Sequence, residues 1–263
     1  MGGRPEMMRR LYFQRQRDEV KDERWDRELV KLVLDHAKQV IAHPSRPTYH
    51  RLENYLRSPF GELAIEESLE EDPFLEQPEA LLVEVSEEKP FTCVAMLDMS
   101  SSMSGEKHLL ASIAVAVLLL EVASEDSALT TFASDAREIK RLGVEEPVET
   151  TILRFLKHHP RGFTNIARGL EMGMKEFSRG RFPQGRRKVG LLVSDGRATE
   201  GGDPIEVARQ FDFLLVLHLH GPGSHIEGSR EMASEGNGIC LEVERFEELP
   251  RRLYEAVRML GRL

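Results

Sequence analysis

A short apolar run, Val94-Ala-Met-Leu97, passes directly into Asp98-Met-Ser100-Ser-Ser102-Met-Ser-Gly105. This junction constrains the chain more than any other feature. An apolar run of this length that ends in turn-forming residues reads as a buried strand, and the loop after it carries one carboxylate and a series of hydroxyls. Such a loop offers hard oxygen donors. Mg²⁺ seeks six oxygens in near-octahedral array at about 2.0–2.1 Å, and thiolate does not suit it. Two later segments supply the same kind of group: Gly162-Phe-Thr164-Asn165, and the apolar run Val189–Val193 that leads through Ser194 to Asp195-Gly196. Taken alone, the first loop also reads as a flexible turn with Asp98 as a helix N-cap. The matching contexts of Thr164 and Asp195 favour a shared metal site.

From Leu81 onward, short apolar runs alternate with segments of helical period, which is the pattern of an α/β domain with a mainly parallel sheet. Strands are expected near Leu81–Val85, Phe91–Leu97, Ser127–Phe132, Arg137–Leu142, Lys188–Val193, Phe213–His220 and Ile239–Val243. Helices are expected near Lys107–Ala123, Val148–Lys157, Asn165–Phe177, Pro204–Gln210, Ile226–Ser234 and Glu247–Leu260. Asp203-Pro204 marks one helix start as an N-cap followed by proline in the first turn. Threading this order places the Asp98, Thr164 and Asp195 loops at one edge of the sheet, beyond the carboxyl ends of the strands, where open α/β sheets bind their ligands. The Ser134-Asp135 turn is expected on the same rim, and a plain hairpin turn explains it equally well. The expected class is a doubly wound, mostly parallel α/β sheet of Rossmann type with one antiparallel edge strand, preceded by an N-terminal helical extension. The domain boundaries so read are 1–78 for the extension and 79–263 for the main domain.

The set Asp98-x-Ser100-x-Ser102, Thr164 and Asp195 resembles the metal-ion-dependent adhesion site of von Willebrand factor A domains, and the resemblance covers Leu81 to the C-terminus. It implies that Ser100, Ser102 and Thr164 supply neutral hydroxyl ligands while Asp98 and Asp195 act mainly through bound water. The ion, Mg²⁺ or Mn²⁺, then keeps net positive charge and an open position for a partner's acidic residue. Within the family, the acidic segment Gly61–Leu69, the direct Asp-x-Ser-x-Ser entry and the ending Phe246-Glu-Glu-Leu-Pro250 resemble members that work beside MoxR-type AAA+ ATPases, and also the D-type subunits of magnesium and cobalt chelatases. The implied function is a non-enzymatic adaptor that couples such an ATPase to protein remodelling or metal-cofactor insertion. Ser101 stands where glycine is frequent, and Phe163 where glycine often precedes the threonine; both alter loop geometry without removing a ligand atom. The alternative is a metal-dependent phosphoester hydrolase, with His158 and His159 as the nearest candidates for a base.

The remaining features bound this reading. A formal charge of −9 argues against general nucleic-acid affinity. No segment approaches the roughly 20 apolar residues of a membrane span, and five arginines among the first seventeen residues leave no room for a signal-peptide core. A cytoplasmic location is expected, and Cys93 and Cys240, each inside an expected strand, read as reduced and buried. There is no Gly-x-x-x-x-Gly-Lys-Ser/Thr phosphate loop and no Gly-x-Ser-x-Gly elbow.

Ahead of the domain, Trp25, Leu29, Leu32, Val33, Ala37 and Val40 recur at helical spacing and predict an amphipathic helix packed on its own domain, with partner docking as the alternative. A short helix is expected at Tyr49–Leu56. Residues 62–88 hold eleven acidic side chains and no basic one, a solvated face that also places carboxylates near a site seeking one. His218, His220 and His225 outline a possible three-histidine site, more simply read as structural side chains. Arg179, Arg181, Arg186, Arg187 and Lys188 form a basic cluster at the opposite sheet edge.

Overall fold

The computed structural model describes residues 4–17, 23–41, 49–57, 59, 62–74, 77–87, 91–122, 124–179, 187–245, 248, 249, 252 and 255. In chain order the elements are helices α1 (Arg4–Arg17) and α2 (Glu23–Ile41), strands β1 (Tyr49–Asn54) and β2 (Glu62–Leu63), helix α3 (Ile65–Glu71) and strand β3 (Leu82–Glu87). Then come β4 (Phe91–Asp98), α4 (Glu106–Glu121), β5 (Ser127–Phe132), β6 (Ala136–Lys140), α5 (Val148–Leu156), α6 (Ile166–Arg179), β7 (Arg187–Ser194), α7 (Pro204–Ala208), β8 (Phe213–Leu219), α8 (Ile226–Glu235) and β9 (Cys240–Val243). The chain divides into two compact units, Met1–Pro44 with Phe91–Val257, and Ser45–Pro90 with Arg258–Leu263.

The larger unit is built on a six-stranded sheet of order β6-β5-β4-β7-β8-β9. All neighbours run parallel except the edge pair β5 and β6, whose antiparallel register shifts between Leu129 and Thr130. The expected doubly wound α/β sheet with one antiparallel edge is thus present. β4 lies at its centre, buried from Thr92 to Asp98, because a parallel sheet covered on both faces needs a continuous apolar strand rather than an alternating one. After β4 the chain moves through α4 to β5 on one side; β7 pairs with the other side of β4. The order therefore reverses between β4 and β7, and the crevice beyond their carboxyl ends is the topological switch point.

Helix α4 explains why α1 and α2 are there. Every residue from His108 to Leu119 is buried, so the helix is apolar around its whole circumference and needs cover on the side away from the sheet. α2 provides it, packing on α4 and α5 with Leu29, Val30, Val33, Leu34 and Ala37 buried. The amphipathic stripe of the first forty residues is thus a layer of its own domain. α1, which the sequence pattern did not single out, lies over the start of α4: the Tyr12 hydroxyl is 2.7 Å from His108 Nδ1, and Arg9 pairs with Glu106 at 2.5 Å. A second core, between the sheet and α6, α7 and α8, gathers Met96, Phe132, Leu192, Phe211 and Val216.

The smaller unit corrects two expectations. Tyr49–Leu56 is not a helix: Tyr49–Asn54 forms β1, paired antiparallel with β3 from Tyr49 opposite Glu87 to Asn54 opposite Leu82. The strand expected at Leu81–Val85 exists as β3, but it is the middle strand of a separate sheet of order β1-β3-β2, not part of the main one. Among the described residues Ala64, Ser68, Ala80 and Val83 are buried, and the Ser68 hydroxyl accepts from Leu82 N at 2.8 Å while donating to Ala64 O at 2.6 Å. Leu63, Ile65 and Leu69 remain exposed; α3 is held by its small residues rather than by its large ones. Most of the helix expected at Glu247–Leu260, and Arg181 and Arg186 of the basic cluster, lie outside the described residues.

Candidate metal centre

Asp98 is the last residue of β4 and Asp195 follows the last residue of β7, so the two carboxylates stand side by side at the switch point. Both are buried, with 1% and 0% of their surface exposed. Asp98 Oδ1 accepts from Ser100 N at 2.8 Å and Oδ2 from the Ser194 hydroxyl at 2.7 Å. Ser194 Oγ in turn accepts from Gly196 N at 3.0 Å, tying the first carboxylate to the turn that carries the second. Burial pushes the Asp98 carboxyl up to about 6; its hydrogen bonds from Ser194 and Ser100 oppose the rise, and the neighbouring Asp195 adds to it.

The other expected donors arrive with these. Ser100 is buried, Ser102 half-buried in the short 3₁₀ turn Ser101–Met103, and their hydroxyl oxygens are 3.1 Å apart. Thr164 is buried and clipped to both neighbouring loops. Gly162 O, two residues before it, accepts from both Ser101 N and the Ser101 hydroxyl at 3.1 Å. On the other side Thr164 N donates to Thr199 Oγ1 at 2.8 Å, and Thr164 O accepts from Thr199 N at 2.9 Å. Ser101, in the frequent glycine position, thus uses its hydroxyl to fasten the Thr164 loop. Phe163, in the other departing position, points outward and is 65% exposed.

Two residues that sequence reasoning did not assign complete the site. Ser194 is the relay just described. Lys107, in the first turn of α4, places Nζ 2.8 Å from Asp195 Oδ2, with its side chain 13% exposed against 0% for the aspartate. Its signal in the sequence is its place on the helix that the Asp98 loop enters; that it would turn back toward a carboxylate 88 residues away is a tertiary fact. Glycine makes room on two sides. A Cβ at Gly221 would sit 2.6 Å from Lys107 Cε, and one at Gly196, whose φ is +72°, would meet His225 O and Ser229 Oγ at 2.3 Å.

The donor set fits a hard divalent cation. Adjacent oxygens of an octahedral Mg²⁺ shell lie about 2.9 Å apart, close to the observed Ser100–Ser102 spacing of 3.1 Å. Of the two buried carboxylates, Asp195 pairs with the Lys107 ammonium and Asp98 has only neutral donors, which leaves the cluster with a net negative charge in a setting where charge is costly. Asp98, Ser100, Ser102, Thr164 and Asp195 would hold the ion, and the ion would supply positive charge and an open coordination position.

The histidines have other duties. His218 is buried, its Nδ1 2.8 Å from Ser229 Oγ, and burial holds it down to about 4, with His220 adding to the effect. His220 pairs with Glu242 at 2.9 Å. His225 caps α8 by accepting from Gly228 N at 3.2 Å, and its N–H donates to Asp195 O at 2.8 Å. His158 directs Nδ1 to Arg154 O at 2.8 Å. Cys93 is buried and Cys240 half-buried, both as free thiols, and burial pushes each up to about 12. Arg179 of the basic cluster pairs with Glu138 and Glu176.

A mostly parallel α/β sheet with an oxygen-lined crevice at its switch point defines a class of binding domains that are often metal-dependent. The family model for the von Willebrand factor type A domain matches residues 93–253, and the chain belongs to that family. Its fold is shared with proximal thread matrix protein 1 from the mussel byssus, solved with a zinc-occupied MIDAS motif, at 17% identity over 66% of this chain and 48% of that one, with a TM-score of 0.57. BatB, a conserved hypothetical protein from Bacteroides thetaiotaomicron, is 17% identical over 66% of this chain and 100% of its own, with a TM-score of 0.53. The manganese-loaded TRAP protein of Plasmodium vivax is 18% identical over 66% of this chain and 72% of that one, with a TM-score of 0.51. No curated protein matches the sequence. Among the described residues, no helix is long and apolar enough to cross a membrane.

Proposed function

We propose that this protein is a Mg²⁺- or Mn²⁺-dependent protein-binding adaptor whose metal, held by Asp98, Ser100, Ser102, Thr164 and Asp195, captures a carboxylate of a partner. The observation that carries the reading is the buried pair Asp98 and Asp195, of which only Asp195 contacts an ammonium, that of Lys107, beside two hydroxyls at ligand-edge spacing. The metal-loaded relatives support a divalent ion in this fold. Members of the family are typically binding modules, which supports an adaptor over an enzyme. A hydrolase would also need a base at the metal, and among the described residues neither His158 nor His159 forms a hydrogen bond to any of the five donor residues. The partner, on the resemblance to MoxR-associated and chelatase-type members, is an AAA+ ATPase complex or its client in the cytoplasm, not nucleic acid or membrane.

Calorimetry with Mg²⁺ and Mn²⁺ tests the site. Wild type binds one ion, and Asp98→Ala loses binding by at least about a hundredfold while staying folded, because removing one of two adjacent carboxylates relieves repulsion in the metal-free form. Equal affinities would refute the ligand assignment. Capture from a cell lysate with Mg²⁺ and with chelator tests the partner, and retention of no ATPase would refute that part.

A further inference from the structure

Beside the metal loops lies a groove of about 470 Å³, walled by Met99 and Gly162 and lined by Arg137, Lys157, His158, His159 and Arg161, with Asp135 as its one acidic lining residue. Its charge is unusual for this molecule. The chain carries a net −9, and many arginines elsewhere on the main unit are paired with a carboxylate: Arg154 with Glu146, Arg209 with Glu235, Arg230 with Glu242 and Arg245 with Glu248. Arg137, Lys157 and Arg161 are exposed, and none of the three forms an ion pair among the described residues. Three uncompensated cations around one concavity hold its potential positive and attract an anion.

The groove also shares its walls with the metal centre. Arg161 N donates to Met99 O at 2.7 Å, and Gly162 O accepts from Ser101, so the segment that presents Arg161 runs straight on to Thr164. Phe163, 65% exposed, stands between the two. We propose that this groove is a second subsite, which receives further carboxylates of the same partner segment whose leading carboxylate meets the metal; the occupant is an acidic peptide of a partner protein. The inference rests on the metal-dependent reading above for what fills the neighbouring site. A peptide suits it better than nucleic acid: a single exposed aromatic offers no stacking platform for successive bases, and the centre next door selects carboxylate oxygen.

The test uses the full chain and fluorescein-labelled hexaglutamate, followed by fluorescence anisotropy at low ionic strength in Mg²⁺ and in chelator. Wild type binds in both conditions and more tightly with Mg²⁺. The variant Arg137→Ser/Lys157→Ser/Arg161→Ser weakens binding at least about tenfold in both and keeps wild-type Mg²⁺ affinity by calorimetry. The control Arg209→Ser/Arg230→Ser/Arg245→Ser makes the same change in net charge and keeps wild-type peptide affinity. Wild-type affinity in the groove variant, an equal loss in the control, or no binding of hexaglutamate by wild type overturns the proposal. So does a single-stranded hexanucleotide that binds more tightly than the peptide and is lost in the groove variant. Asp98→Ala separates the two readings, since it removes only the increment due to Mg²⁺: if that increment is absent from wild type while the groove variant still loses binding, the metal reading fails and the subsite stands.

Discussion

One sheet edge carries two polar regions of opposite sign, and they are built in opposite ways. The oxygen cluster of Asp98, Ser100, Thr164 and Asp195 is buried, and its carboxylates are held by Ser194, Ser100 and Lys107. The groove of Arg137, Lys157 and Arg161 is exposed. The difference teaches which region can fix a ligand and which can only select one. Buried charges are weakly screened, so each change there alters stability by several kcal/mol and is felt at any salt concentration. Exposed cations contribute little to folding and act through long-range attraction that salt removes.

Three variants break or sharpen this contrast. The largest effect is expected from Lys107→Met, which leaves Asp195 buried without its cation. Denaturation in chelator should show a loss of about 3 kcal/mol, and calorimetry should show Mg²⁺ bound about tenfold more tightly, because the ion no longer competes with a resident ammonium for Asp195. Unchanged stability and affinity together would mean that the Lys107–Asp195 pair is not formed in solution.

The next effect is one of pH. Burial raises the Asp98 carboxyl to about 6 in the folded protein from the ordinary aspartate value of 3.8, so between these values the folded state binds more protons than the unfolded one. Stability in chelator therefore falls as pH rises from about 4 to about 6, and stays lower above that, by on the order of 2 kcal/mol. Asp98→Asn should remove this fall, matching wild type near pH 4 and exceeding it near pH 7. Saturating Mg²⁺ should remove the fall from wild type as well. Parallel pH profiles for wild type and variant in chelator would show that Asp98 does not titrate in this range.

The smallest effect marks the other side of the comparison: Arg161→Ser should shift the unfolding free energy by less than about 0.5 kcal/mol. A larger loss would mean that the groove is part of the folded framework rather than a surface for something else.

The legibility of the chain followed where its determinants lie. β4, β5, β7, β8 and β9 are short apolar runs bounded by turn residues, and each was located within a residue or two at its ends. Asp203 caps α7 as its sequence suggested, accepting from Ile205 N at 2.9 Å, since an N-cap and the proline after it are local. β1 misled because Tyr49-His-Arg-Leu-Glu-Asn54 has little preference of its own; pairing with β3, from Tyr49 opposite Glu87 to Asn54 opposite Leu82, settles its conformation. α1 went unread for a similar reason: the apolar residues it buries, Met8, Leu11 and Tyr12, are interrupted by arginines, and its place depends on α4.

By itself the sequence determined the class of the sheet, the residues at its carboxyl edge and the chemistry of their donors, because apolar periodicity, turn residues and oxygen ligands are properties of short segments. Only the tertiary structure decided that Lys107 faces Asp195, that Ser194 links the two carboxylate loops, that α2 closes the outer side of α4, and that Arg137 and Arg161 meet in one groove. Each of these joins residues far apart in the chain. Their approach follows from how helices pack on the sheet, a global minimum of burial and charge that no short segment encodes.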